Sequence, residues 1–315
     1  MRIYRHYDAI APEHKGGVIA IGNFDGVHRG HRAVIGEAGR IAKANSAPWG
    51  VLTFEPHPRM MFTPEAPPFR LTPFVDKTRI IEEMGVDFLV VLHFDEQLSR
   101  LPADEFIATV LVAGLQACHI VSGFDFVFGH KRGGTAQFLE SEGKKYGFGA
   151  TGAGKVVDET GEVISSTRIR AFLAEGKPCE AARLLGRPFE ISGRVSGGDQ
   201  RGRTIGFPTA NLMLAATTQP ALGVYAIRAG LETGETTVWH DGVANLGYRP
   251  TFGGTTPVLE THIFDFADDI YGKHLRVALI EFLRPERKFD GIASLTEQIR
   301  KDSDQARALL AQGAK

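Results

Sequence analysis

From Gly17 to Leu185 the chain alternates between short β-branched apolar runs and stretches of helical period, and nothing else in it constrains the fold as strongly. Gly17–Ile21, Trp49–Phe54, Phe88–Phe94 and His119–Val127 read as strands. Between them, Ala33, Val34, Ile35, Ala38, Ile41 and Ala42 recur at helical spacing, and Lys77–Met84, Asp104–Leu115 and Thr135–Tyr146 read as helices. Strands joined through helices need right-handed crossovers, which build a parallel sheet covered on both faces. A hairpin is predicted about Glu159-Thr160-Gly161, and helices over Thr167–Ala174 and Cys179–Leu185 close the unit. After Gly186-Arg187-Pro188 the texture changes to short alternating runs with frequent glycine: Phe189–Val195, Val224–Ala229, Thr236–Trp239, Thr261–Phe266 and Leu275–Phe282. Strands so closely spaced predict a small antiparallel barrel. Ser294-Leu295-Thr296-Glu297 fits a capping box opening a C-terminal helix. The predicted domains are therefore 1–185 and 186–315.

With 315 residues, each domain can bury a core of its own. The 36 basic and 37 acidic residues nearly cancel, so no global field draws the chain to nucleic acid, and no such partner is expected. No apolar run is long enough to span a bilayer, and Met1–His6 has no signal-peptide core, so a cytoplasmic protein without a membrane partner is expected. The two cysteines, Cys118 and Cys179, do not form a Cys-x-x-Cys pair, which argues against a disulfide scaffold or a zinc site. A homo-oligomer is compatible with all of this.

Gly22-Asn23-Phe24-Asp25-Gly26-Val27-His28-Arg29-Gly30-His31 lies between the first strand and the first helix, at the strand end where open α/β sheets bind ligands. Its glycines let the backbone approach a ligand closely, and the helix start directs free N–H groups at an anion. His28 and His31 share one face of the first helical turn, from which two imidazoles can donate to phosphate oxygens as charge grows on them. A single histidine there would more often cap or pack; the His-x-Gly-His pair at a strand-to-helix turn points to nucleotidyl transfer. Gly149–Val156 nearly spells a phosphate loop, but Val156 stands where the Mg²⁺-binding hydroxyl belongs and no helix follows, so the match is set aside. Ser165-Ser166-Thr167-Arg168-Ile169-Arg170 offers hydroxyls and arginine forks to phosphate at another strand-to-helix junction.

The His-x-Gly-His turn, Thr53-Phe54-Glu55-Pro56-His57-Pro58, Gly123-Phe124-Asp125-Phe126 with Phe128-Gly129, and Ser165-Ser166-Thr167-x-Ile169-Arg170 together resemble the adenylyltransferase module of bacterial bifunctional riboflavin kinase/FAD synthetases, over about residues 15–186. The resemblance implies a Rossmann-like nucleotidyltransferase domain in which His28 and His31 steady the transition state on the α-phosphate of ATP. It sets Gly22, Asn23, Phe24, Asp25 and Gly30 beside the nucleotide, and Ser166, Thr167 and Arg170 on the triphosphate. Pro56, Pro58 and Asp125 would lie close to the flavin. Val127 departs from the family, which commonly has arginine there, whereas Arg132 matches.

In the second half, Gly202-Arg203-Thr204-Ile205-Gly206-Phe207-Pro208-Thr209-Ala210-Asn211 joins a glycine loop to a rigid Phe-Pro turn and suits closure over a phosphate chain. Thr209 and Asn211 point the same way on an extended segment, and their oxygens suit hard Mg²⁺. Glu260, at the start of a predicted strand, can accept a proton from an attacking alcohol. Each of these residues also has an ordinary reading as a turn former or a solvated strand end. This segment, with Gly223-Val224-Tyr225-Ala226, Asn245-Leu246-Gly247-Tyr248, Glu260-Thr261-His262 and Leu283-Arg284-Pro285-Glu286, is similar to the riboflavin kinase module. That likeness implies a six-stranded antiparallel Greek-key barrel with a C-terminal helix. Gly202, Arg203, Gly206 and Pro208 would form the ATP and flavin loop, Thr209 and Asn211 would hold Mg²⁺ with ATP, and Glu260 would be the base. The expected chemistry makes FMN from riboflavin and FAD from FMN, with riboflavin, FMN and ATP as small-molecule partners. Alternatives are a flavin-binding regulator and an FMN adenylyltransferase with a degenerate kinase domain.

Overall fold

The computed structural model describes residues 1–196, 207–214, 217–233, 236–248 and 256–312. They separate into two compact units, Met1–Pro67 with Thr72–Ser165, and Pro68–Leu71 with Ser166–Lys315.

In the first unit, strands β1 (Arg2–Tyr4), β2 (Val18–Ile21), β3 (Trp49–Glu55), β4 (Phe88–His93), β5 (His119–Gly123) and β8 (Gly149–Ala153) form one sheet in the order β1-β4-β3-β2-β5-β8. Every pairing in it is parallel. Helices α1 (Arg29–Asn45), α2 (Pro58–Phe62), α3 (Phe74–Glu82), α4 (Glu96–Arg100), α5 (Ala103–Phe106) and α6 (Ala136–Tyr146) lie along the connections. Alternation within the strands assigns the two cores. Val18, Ala20, Val51 and Leu89 face α1 and α3 through Val34, Ile35, Ala38, Ile80 and Ile81. Ile19, Ile21, Leu52 and Val90 face Phe106, Ile107, Val110 and Leu111. Both faces are buried, as a parallel sheet requires. The chain runs outward from β2 through β3 to β4, then returns to β2's other side with β5, so the topological switch point lies at β2.

Three expectations need correction. The helix read over Asp104–Leu115 is α-helical only to Phe106 and continues over Ile107–Gly114 with π-type geometry. The strand read as His119–Val127 ends at Gly123; the chain turns, with Phe126 N–H on Gly123 O at 3.1 Å, and Val127–Phe128 (β6) pairs with Gly134–Thr135 (β7). Setting Gly149–Val156 aside as a phosphate loop holds: Gly149–Ala153 is the edge strand β8, next to β5, a strand not anticipated there. Ser294 is not a cap: the final helix opens two residues earlier, and Ser294 Oγ donates back to Gly291 O at 2.9 Å.

In the second unit, β9 (Phe189–Arg194), β10 (Ala210–Met213), β11 (Gly223–Thr233), β12 (Thr236–Tyr248), β13 (Pro257–Ile263) and β14 (His274–Pro285) pair antiparallel in the order β10-β13-β12-β11-β14-β9. Just past β9, Ser196 bridges Asn211 of β10, its N–H on Asn211 O at 3.0 Å, and joins the two ends of the sheet into a barrel. Helix α9 (Ile292–Gln312) packs Ala306 and Leu310 on Val224, Ala226 and Val243 outside the barrel. Helices α7 (Ser166–Ala174) and α8 (Pro178–Leu185) also group with this unit. Leu173 O accepts from Ala221 N–H at 2.8 Å, and Cys179 Sγ lies 3.1 Å from Ile280 O.

Candidate active sites

The Gly22–His31 turn leaves the carboxyl end of β2. Ile21 pairs with Leu52 and Ser122, so Gly22, Thr53 and Gly123 follow side by side at the switch point. The turn is wound tightly: Gly26 lies at φ +91°, and the non-glycine Phe24 and Val27 are also left-handed, at +49° and +41°. Such backbone persists only where its surroundings hold it. Phe24, Asp25, Val27 and His28 are all buried, and Asp25 Oδ1 accepts from Thr72 N–H at 3.2 Å. Thr53 Oγ1 and Lys77 Nζ both donate to the carbonyl of Asn23, at 3.2 and 3.1 Å.

His28 is the N-cap of α1. Its Nδ1 accepts from His31 N–H at 3.2 Å, so the neutral ring carries its proton on Nε2, the tautomer that can donate to an anion. The His31 ring stacks on it at 3.6 Å with 17° between planes, and Phe24 meets His31 edge-on. Gly30 makes this possible, since a Cβ there would lie 3.1 Å from the His28 ring. The expectation that the two histidines share a face therefore holds in a closer form, one imidazole lying on the other.

Pro56 and Pro58 follow the end of β3; Pro58 opens α2, whose cap is His57, with Nδ1 on Arg59 N–H at 3.1 Å. Asp125 is exposed in the turn after β5, and Val127, also exposed, offers the solvent an apolar side chain. Ser166, Thr167 and Arg170 lie in the first turns of α7, within the second unit. Arg170 Nε donates to Phe69 O at 2.6 Å, and its guanidinium lies over the Phe69 ring.

On the barrel, pairing registers set Asn211 opposite Glu260, Glu260 opposite Asn245, Asn245 opposite Val224 and Val224 opposite Arg284. Partners in register project to the same face of a sheet, so these residues form one outward row across five strands. Asn211 is buried, and its Oδ1 has no hydrogen-bond partner among the described residues. Asn245 Nδ2 donates to Glu286 Oε1 at 3.2 Å, and Gly247 makes room for that carboxylate, which a Cβ would meet at 2.0 Å. At the far end of the row Arg284 forks onto Asp302 of α9, at 2.7 to 3.1 Å. His262, two residues beyond Glu260 on the same face, donates from Nδ1 to Pro208 O at 2.9 Å, with Phe207 edge-on at 5.3 Å. It ties the Phe207-Pro208 segment, and so half-buried Thr209, to β13. Gly202, Arg203 and Gly206 lie outside the described residues.

Sequence reasoning missed Lys77, Glu55 and Thr53 as supports of the first turn, and His262 and Glu286 as supports of the second row. Glu55, His262 and Glu286 stood inside recognised motifs, which was signal enough to look at them; Lys77 carried none.

Comparison with known proteins decides the family. The FAD synthetase family model matches residues 10–168 and the riboflavin kinase family model residues 185–310. The bifunctional riboflavin kinase/FMN adenylyltransferase of Escherichia coli (strain K12) is 42% identical over 297 residues, covering 94% of this chain and 93% of that protein. Its counterpart in Pseudomonas fluorescens is 41% identical over 315 residues (100% and 99%) and that of Bacillus subtilis (strain 168) 39% over 313 (97% and 96%). The chain belongs to the bifunctional riboflavin kinase/FMN adenylyltransferase family. It is a transferase with its adenylyltransferase module first and its kinase module second. A solved structure described as a macrolide-efflux protein from Streptococcus pneumoniae shares the fold, with a TM-score of 0.83 and 33% identity over 97% of this chain and 98% of that one. No helix among the residues described here is long and apolar enough to cross a membrane.

Proposed function

We propose that residues 1–185 adenylylate FMN at the Gly22–His31 turn and that residues 186–315 phosphorylate riboflavin along the Asn211–Glu260 row. The observation that carries the first assignment is the His28–His31 stack at the start of a helix at the switch point, with His28 buried and its Nδ1 occupied by His31 N–H, which leaves Nε2 to donate. In this reading a phosphate oxygen of FMN attacks the α-phosphorus of ATP, the bond to the β-phosphate breaks, and pyrophosphate leaves with FAD as product. His28 and His31 donate to the oxygens on which charge accumulates. Gly22, Asn23, Phe24, Asp25 and Gly30 line the nucleotide, and Pro56, Pro58 and Asp125 the flavin. Ser166, Thr167 and Arg170 keep the triphosphate role that the family resemblance assigns them.

In the kinase reading the 5′-hydroxyl of the ribityl chain attacks the γ-phosphorus of ATP, Glu260 takes the proton, and ADP leaves. Among the described residues no group of three or more His, Cys, Asp or Glu side chains is arranged to hold a metal. Thr209 and the buried amide oxygen of Asn211 supply hard neutral ligands of the kind Mg²⁺ accepts beside phosphate and water. Mg²⁺ bound there would neutralise charge on the transferring phosphoryl group. Gly202, Arg203, Gly206 and Pro208 are assigned to the loop over ATP and flavin.

The test is to incubate the purified protein with riboflavin, ATP and Mg²⁺ and separate the flavins by chromatography. FMN should rise first and FAD follow. Riboflavin left unmodified would refute the kinase assignment, and FMN that never becomes FAD would refute the adenylyltransferase one.

A further inference from the structure

Lys77 has no solvent exposure at all, and burying an ammonium group costs several kcal/mol unless it is paired and hydrogen-bonded. Its Nζ bonds two acceptors from different parts of the sheet edge: the Asn23 carbonyl at 3.1 Å and Glu55 Oε1 at 3.0 Å. Asn23 belongs to the turn that carries His28 and His31. Glu55 is the last residue of β3 and is followed at once by Pro56. Between them stands Thr53, whose hydroxyl shares the Asn23 carbonyl. The carbonyl so held precedes Phe24, the first left-handed residue of the turn. An apolar side chain would fill the same space at a lower cost in desolvation, so packing alone does not explain a lysine here.

We propose that Lys77 is a positioning residue for FMN adenylylation, fixing the nucleotide-side turn against the flavin-side end of β3 through Asn23 and Glu55 while touching neither substrate. The proposal rests on the adenylyltransferase reading of the first module. Without the ammonium group, His28 and His31 remain present but lose their register with the reacting phosphate. Misplacement of about 1 Å is enough to cost ~100-fold in rate. The loss falls mainly on kcat, because the substitution removes none of the groups assigned to ATP and FMN and shifts only their register.

The experiment compares wild type, Lys77→Met and the double variant Glu55→Gln/Lys77→Met in FAD formation from supplied FMN. Riboflavin phosphorylation by the same chains and the thermal midpoint are followed in parallel. Lys77→Met should lower kcat for FAD formation ~100-fold, change either KM by less than about 3-fold, and leave riboflavin phosphorylation at its wild-type rate. It removes the ion-pair partner that Lys77 gives the Glu55 carboxylate, so it should also lower the thermal midpoint. The double variant also removes the carboxylate charge at Glu55 and should recover stability without recovering kcat. If kcat returns together with the midpoint, the lysine serves only to stabilise the fold and the proposal is overturned. An unchanged kcat in Lys77→Met overturns it as well. Should Lys77→Met fail to fold, the double variant carries the same decision through its kcat. Wild-type protein that makes no FAD would defeat the adenylyltransferase reading itself, and is told apart because it needs no variant.

Discussion

The two candidate sites hold their reactive side chains in opposite ways. At the Gly22–His31 turn the backbone does the work: left-handed residues, a doubly bonded carbonyl and an N-cap fix two histidines on one short segment. On the barrel the register does it, setting Asn211, Glu260 and Asn245 in a row whose members lie far apart in the chain. A turn can be disturbed from underneath, through Lys77 or Thr53. The row is disturbed by whatever moves one strand against the next, or by loss of the residues that anchor its ends. The turn is therefore a local device and the row a product of the whole barrel.

The largest effect that sharpens this contrast comes from Glu260→Ala. General-base removal should slow riboflavin phosphorylation about 1,000-fold in initial-rate assays, while FAD formation from supplied FMN keeps its rate. Next, His28→Ala removes both a donor and the cap of α1, and should cut FAD formation at least about 100-fold with phosphorylation intact. The third test concerns the anchored end of the row. Arg284→Ala leaves the nearly buried Asp302 carboxylate without its bidentate partner and should cost about 3 kcal/mol in urea unfolding followed on the barrel. FMN adenylylation should not change, so a fall in both would mean that the two units do not behave as separate devices.

The smallest expected effect lies in the parallel sheet. Burial lowers the His119 pKa below its ordinary value, against a weaker opposing pull from Glu37. The folded protein then binds fewer protons than the unfolded chain as pH falls below about 6.5, so stability is full above that pH and declines as pH drops through the folded value. His119 Nε2 also shares a hydrogen bond with Thr151 Oγ1 at 2.8 Å, across β5 and β8. His119→Gln should flatten the decline between pH 7 and 5 in thermal melts, and an unchanged slope would refute the assignment.

How much of this the sequence disclosed follows from the same contrast. The turn was legible because its glycines, its two histidines and its place between a strand and a helix are all local signals. The parallel sheet was legible from β2 to β5, where apolar β-branched runs are unbroken. Its edges were not: Arg2–Tyr4 is too short and polar, and Gly149–Ala153 is so poor in apolar side chains that it resembled a phosphate loop. In the barrel, Ala210–Met213 escaped because four residues give no usable alternation. The pairing of Asn245 with Glu286 across a missing Cβ at Gly247 is a tertiary fact between two motifs that the sequence could only set side by side. Lys77 was legible as a helix residue and nothing more. Its role depends on two acceptors, 22 and 54 positions away, that only folding brings to it.

Separate sites on one chain can be tested most directly by complementation. An equimolar mixture of His28→Ala and Glu260→Ala proteins is given riboflavin, ATP and Mg²⁺, and FAD is followed by chromatography. Each variant alone should yield almost none, the first stopping at FMN and the second leaving riboflavin untouched. The mixture should accumulate FAD, because FMN released from the intact kinase of one protein feeds the intact turn of the other. A mixture that builds up FMN without FAD, or leaves riboflavin unchanged, would contradict two independent sites.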